Sequence, residues 1–244
     1  MTSHIRADLP ESGPMRTVVI TGGTSWLGQA LAERLLSDER HRLALTYLRP
    51  VEADRFEDSF GTHHPRIILR RVDVTDAHAV ERFLAEVESR WGTISGLACV
   101  AESWAGGTTV EQTSDLRLER MLDANLRSTF TMVRAALPYL RSADWARVVL
   151  TASRAAFDTP PDQAAFNIAK AGVVALGRSL AAELVKTEVS VSVLSPSVID
   201  TPVSREAMPD ADHSLWPTPD EVARVAEFLL SREAWLLNGA EVPV

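Results

Sequence analysis

Ser153, Phe166 and Lys170 set the chemical question. The lysine follows the aromatic by four residues, and the serine precedes it by thirteen. This is the layout of a Ser/Tyr/Lys acid–base site with the tyrosine hydroxyl removed. A phenyl ring fills the same volume but carries no proton, and a positioned general acid is worth about 10²–10⁴-fold in rate. Neither tyrosine of the chain replaces it: Tyr47 ends a predicted strand, and Tyr139 falls near the exit of a long predicted helix. Asn125, Glu102 and Arg154 add an amide, a carboxylate and a guanidinium as further candidates. Glu102 reads as a replacement acid if it is buried, and as a solvated carboxylate if it is not. Arg154 reads as an anchor for an anionic or enolate substrate.

Such residues need a scaffold that gathers positions far apart in the chain. Short runs rich in Val, Ile or Leu read as strands at Arg16–Thr21, Arg42–Tyr47, Arg66–Val72, Leu97–Val100, Ala146–Thr151 and Val189–Leu194. Segments of helical character alternate with them: Trp26–Leu36, then stretches near 76–91, 114–141, 161–186 and 218–230. That alternation predicts a single α/β domain, a doubly wound parallel sheet with helices on both faces. In such sheets the ligand crevice lies beyond the carboxyl ends of the strands. Leu118, Leu122, Asn125, Thr129, Met132 and Ala136 fall on one helical stripe, which turns Asn125 inward. A buried amide needs partners, so Asn125 is either structural or part of the site.

Composition narrows the classes. With 244 residues and 45% hydrophobic content the chain can bury a full core. A net charge of -8 argues against nucleic acid or an anionic membrane as a partner. The single cysteine, Cys99, excludes an internal disulfide and fits a reducing cytoplasm. No apolar run approaches the roughly 20 residues needed to span a bilayer. Residues 1–14 read as a flexible leader and residues 15–244 as one domain, with Met15 an alternative start.

Between the first strand and helix runs Thr21, Gly22, Gly23, Thr24, Ser25, Trp26, Leu27 and Gly28. A glycine-rich turn feeding a helix N-terminus offers main-chain N–H groups and a positive dipole end to a pyrophosphate. Here the chain resembles the classical short-chain dehydrogenase/reductase family, whose loop reads Thr-Gly-x-x-x-Gly-x-Gly. Thr21, Gly22 and Gly28 match, while Trp26 replaces the middle glycine. An indole at that point either crowds the phosphate or swings clear.

The resemblance spans nearly the whole chain and implies a Rossmann-like dinucleotide-binding fold. It implies that Asp73 and Val74 meet the adenine, and that Thr201 touches the nicotinamide amide. Thr46-Tyr47-Leu48-Arg49 offers no acid for a ribose 2′-hydroxyl. Arg49 therefore reads as a partner for a 2′-phosphate, favouring NADP(H), or else as a solvated arginine. NAD(H), or no cofactor, remains an alternative. The family's Asn, Ser, Tyr and Lys fall on Asn125, Ser153, Phe166 and Lys170. Asparagine there organises a relay water, serine polarises the substrate oxygen, and lysine holds the ribose. Cys99-Val100-Ala101-Glu102 stands where relatives have Asn-Asn-Ala-Gly, and Pro196-Ser197 where they have Pro-Gly.

Residues 203–217 correspond to a short substrate lid in which Trp216 reads as a stacking platform or a packing anchor, and His213 as solvated. No metal site is expected. The implied activity is an atypical NADPH-dependent reductase of a small-molecule carbonyl. A non-redox enzyme in the old pocket (cyclase, dehydratase or isomerase) and a non-catalytic partner subunit are the alternatives. The long helices offer a face for a homo-oligomer, dimer or tetramer.

Overall fold

The fold, taken from a computed structural model, is described for residues 14–244. The expected leader therefore lies, except for Pro14, outside the described residues. Seven strands form one sheet: β1 (Arg16–Thr21), β2 (His41–Tyr47), β3 (Ile67–Arg71), β4 (Ile94–Cys99), β5 (Ala146–Thr151), β6 (Val189–Ser195) and β7 (Glu241–Pro243). Their order is β3-β2-β1-β4-β5-β6-β7, and every pairing is parallel. Among the described residues no helix is long and apolar enough to cross a membrane.

Parallel strands bury both faces, so each needs helices on both sides. Against one face pack α3 (Ala77–Trp91), α5 (Ser128–Arg141) and α7 (Ala164–Glu183), around Val19, Leu97, Val148 and Val191. Against the other pack α1 (Trp26–Leu36) and α9 (Pro219–Leu230), with Phe56 of α2 (Pro50–Phe60), around Val18, Ile20, Ala98 and Val149. Neighbours in β1 serve opposite cores, as the two-residue strand period requires.

The expected strands are all present, with ends shifted by up to three residues. Several short elements were not expected, among them α2, β7 and the helices Ala155–Asp158 and Pro202–Ala207. Five of the eleven residues of α2 are charged and it buries only Ala53 and Phe56, so its helical signal is faint. With three residues, β7 is too short to announce itself. The helix expected over 114–141 is interrupted: α4 (Asp115–Met121) passes through a π-helical turn, Leu122–Arg127, before α5. Asn125 lies in that turn, and such widened turns are frequent at functional sites.

Candidate active site

The strand order reverses between β1 and β4, the point where ligands enter open parallel sheets. The β1–α1 loop lies at this crevice. Gly22 has φ +62°, and a Cβ there would lie 2.8 Å from the Ala101 Cα. A Cβ on Gly28 would collide with the Gly22 carbonyl oxygen. Both positions therefore require glycine. The Thr21 hydroxyl accepts from the Val100 and Ala101 N–H groups at 3.1 Å each, tying the loop to the end of β4. Ser25 caps α1, its hydroxyl accepting from the Gly28 N–H at 3.1 Å. The Thr24 hydroxyl is buried with no hydrogen-bond partner among the described residues, while the Leu27 side chain belongs to the core.

Trp26 turns toward α2. The Arg55 guanidinium sits 4.4 Å from the indole centroid, and Arg55 Nη2 donates to the Thr24 carbonyl at 2.7 Å. Sequence reasoning missed Arg55 because α2 itself went unread. Arg49, the cation expected here, starts α2 as its N-cap, is 75% exposed, and is ion-paired with Glu52. Asp73 folds its carboxylate back on its own turn, accepting from the Thr75 N–H at 2.9 Å and hydroxyl at 2.7 Å. Val74 packs against the sheet core.

Lys170, expected to belong to an acid–base site, meets residues at the ends of β4 and β5. Lys170 is 1% exposed and donates to Glu102 Oε2 at 2.6 Å and to the Thr151 carbonyl at 3.1 Å. Its Nζ stands 5.5 Å from the Phe166 ring centroid. Glu102 is thus neither buried nor merely solvated: it is the counter-ion of the buried ammonium, 68 residues away in sequence. Phe166 is 6% exposed and packs with Met121, Ala155 and Ala165 in a small cluster of its own. Asn125 is buried as its stripe predicted. Its Nδ2 donates to the Ser103 and Met121 carbonyls at 2.9 Å, and its Oδ1 accepts from the Ser103 N–H at 3.3 Å. The loop after β4 is further strapped down by Trp104 Nε1, which donates to Gln163 at 3.0 Å.

Ser153 accepts from the Ala155 N–H at 3.2 Å and donates to the Pro196 carbonyl at 3.5 Å. Arg154 leads into α6 (Ala155–Asp158) and pairs with Asp158 at 3.3 Å. It opens on a cleft of about 690 Å³ shared with Phe157, Glu241, Pro243 and Val244. The chain end is itself sheet: β7 extends β6, and the Ser197 N–H donates to the Val244 carbonyl at 2.6 Å. Thr201 caps α8 (Pro202–Ala207). Trp216 meets the His213 ring at a tilt of 43°, centroids 4.5 Å apart, and His213 Nε2 lies 2.9 Å from the Met208 carbonyl. His213 is therefore half-buried, not solvated, because its ring closes the turn that anchors Trp216. Cys99 is buried, and burial pushes its thiol up to about 12, which leaves it inert.

A parallel sheet of this order, with a glycine-cradled turn at its reversal, defines the Rossmann-like class. Within it the chain belongs to the short-chain dehydrogenase family, whose family model matches residues 16–212. It is 31% identical to the 3-oxoacyl-[acyl-carrier-protein] reductase MabA of Mycobacterium tuberculosis, over 94% of this chain and 91% of that one. It is 29% identical to the D-beta-hydroxybutyrate dehydrogenase of Rhizobium meliloti, over 85% of this chain and 80% of the relative. Among solved structures, the short-chain dehydrogenase/reductase of Brucella melitensis described as glucose/ribitol dehydrogenase superposes with a TM-score of 0.82. That match has 30% identity and covers 94% of each chain.

Proposed function

We propose that the chain binds NADP(H) and acts as an atypical oxidoreductase on a small-molecule carbonyl, without a tyrosine general acid. The observation that carries this reading is the glycine cradle. A Cβ would fill it at Gly22 and at Gly28, and the buried Thr24 hydroxyl beside it has no partner among the described residues. Main-chain groups of residues 22–28, with Thr21, Thr24 and Ser25, would hold the pyrophosphate at the α1 N-terminus. Trp26 would flank it. Arg49 and Arg55 supply cations on the adenosine side, Asp73 and Val74 the adenine contact, and Lys170 and Thr201 the nicotinamide side. When bound, the nicotinamide supplies hydride.

The chain's own contribution is positioning and charge. Asn125 fixes the backbone at Ser103, Lys170 brings a buried ammonium, and Ser153 offers a hydroxyl to polarise the carbonyl oxygen. The proton comes from Ser153, from water or from the substrate. Relatives named for 3-oxoacyl reduction and for hydroxybutyrate oxidation support a carbonyl/alcohol pair as substrate. A cytoplasmic homo-oligomer fits the same reading, with Phe130 of α5 and Ile168 of α7 half-exposed on the long helices.

The test is titration of the purified protein with NADPH and, separately, NADH, following tryptophan quenching. Micromolar binding with a preference for NADPH supports the reading. No binding of either sinks it. A second reading, a non-redox enzyme or a partner subunit, would then lead. It is favoured by the packing of Phe166 into its apolar cluster and by Glu102 holding Lys170.

A further inference from the structure

The Lys170–Glu102 pair is built asymmetrically. Lys170 is 1% exposed, whereas Glu102 is 42% exposed and can exchange its partner for water. The ammonium has three protons to donate; Glu102 and the Thr151 carbonyl take two, and its remaining side looks toward the Phe166 ring. The main chain around Glu102 is pinned on both sides. Thr21 holds the N–H groups of Val100 and Ala101, and Asn125 holds both polar groups of Ser103. The carboxylate can therefore leave by a side-chain rotation alone, with no movement of the loop. It follows β4 at the β1–β4 crevice, on a fully buried ammonium.

We propose that Glu102 is an internal competitor for Lys170. It neutralises the ammonium while the crevice is empty, and it must release the ammonium to any ligand that brings hydroxyl acceptors past β4. This rests on the dinucleotide reading above and deepens it: Glu102 sets how tightly the nicotinamide half is held, and leaves the adenine half alone. A mere counter-ion predicts otherwise. Removing its charge would then strand Lys170 and help no ligand.

The two halves are separated by probe. NADPH spans the whole crevice, while adenosine 2′,5′-bisphosphate carries only the adenine side. Binding of each is measured to the unmodified chain, Glu102→Gln and Glu102→Asp, with thermal unfolding of each protein as the check on folding. Hydrogen bonds to charged groups are strong enough that losing the competitor should tighten NADPH about tenfold or more in Glu102→Gln. Glu102→Asp, which keeps the charge on a shorter arm, should fall between. The bisphosphate should bind all three alike. Unchanged or weakened NADPH binding to folded Glu102→Gln, with the bisphosphate still bound, overturns the competitor and spares the dinucleotide reading. Failure of both probes on every protein removes that reading and the competitor together. Should Glu102→Gln not fold, the aspartate variant alone decides by the same comparison.

Discussion

Arg55 lies over the indole of Trp26, its guanidinium 4.4 Å from the ring centroid, while its Nη2 holds the Thr24 carbonyl at 2.7 Å. One arginine of α2 thus clasps both the loop and the first residue of α1. This clasp draws the indole toward α2 instead of leaving it free over the loop. A cation over an indole face is worth about 0.5–2 kcal/mol, and the guanidinium keeps further donors for an anion.

Replacing Arg55 should therefore disturb two properties at once. Arg55→Ala is expected to cost about 1–2 kcal/mol of stability. It should also weaken NADPH more than NADH, since only the former carries a 2′-phosphate. Arg49→Ala should do less, because Arg49 is 75% exposed and already tied to Glu52. Paired titrations of both variants check this; equal losses for the two dinucleotides would remove Arg55 from the phosphate side.

The glycines offer an internal control. Gly28→Ala forces a Cβ against the Gly22 carbonyl, whereas a Cβ on Gly61, at φ +79°, meets nothing within 4 Å. Gly61→Ala should cost about 1–3 kcal/mol of backbone strain. Gly28→Ala should cost more and abolish nucleotide binding. Chemical denaturation and titration of the two variants measure both effects. Similar losses would mean the loop is not held by close packing.

His41 gives a pH signature at the opposite end of the sheet. It pairs in register with Arg16, and neither ring nitrogen has a hydrogen-bond partner among the described residues, the Asp38 carboxylate standing 3.7 Å from Nδ1. Burial, then the Arg16 charge, push the imidazole from 6.5 down to about 4. The folded imidazole stays neutral where the unfolded one takes a proton. Stability is therefore full above 6.5 and falls as the pH drops from 6.5 toward 4. The loss by the lower limit is about 3 kcal/mol, from roughly 1.4 kcal/mol per unit. Its neighbour Asp38, drawn down to about 2 by its hydrogen bond to Arg40, titrates below that window. Denaturation of the unmodified chain and His41→Leu across the window should show the steeper slope in the former; a smaller slope common to both comes from His64, also held below 6.5 by burial and Arg66.

Much of this architecture is legible from residue patterns. The runs Arg16–Thr21 and Ala146–Thr151 become β1 and β5 with their ends unchanged, since β-branched and aliphatic runs between turn residues leave the backbone few alternatives. Asn125 was legible as buried because a helical stripe fixes direction. The ion pair at Lys170 was not, because no local rule joins residues 68 apart; tertiary packing alone brings Glu102 to the ammonium. The Arg55–Trp26 contact was hidden for a related reason. With its charged residues and two buried side chains, α2 lacks the apolar stripe that marks a core helix.

The missing phenol supplies the sharpest test. Phe166 sits beside the Lys170 ammonium and is otherwise enclosed by Met121, Ala155 and Ala165. Phe166→Tyr adds one hydroxyl to a ring already in place beside the ammonium. If Asn125, Ser153 and Lys170 form the rest of an acid–base site, the variant should reduce carbonyl compounds with NADPH about 10²-fold faster than the unmodified chain. Glu102 complicates that gain, because an ammonium occupied by a carboxylate is less available to lower a neighbouring phenol's pKa. The double variant Phe166→Tyr/Glu102→Gln should then exceed the product of the two single effects, the coupling expected of side chains sharing one partner. Nicotinamide absorbance reports all four proteins of the cycle. If NADPH binds and neither the single nor the double variant gains activity, the corner around Lys170 is not a reductase site, and the non-redox reading takes its place.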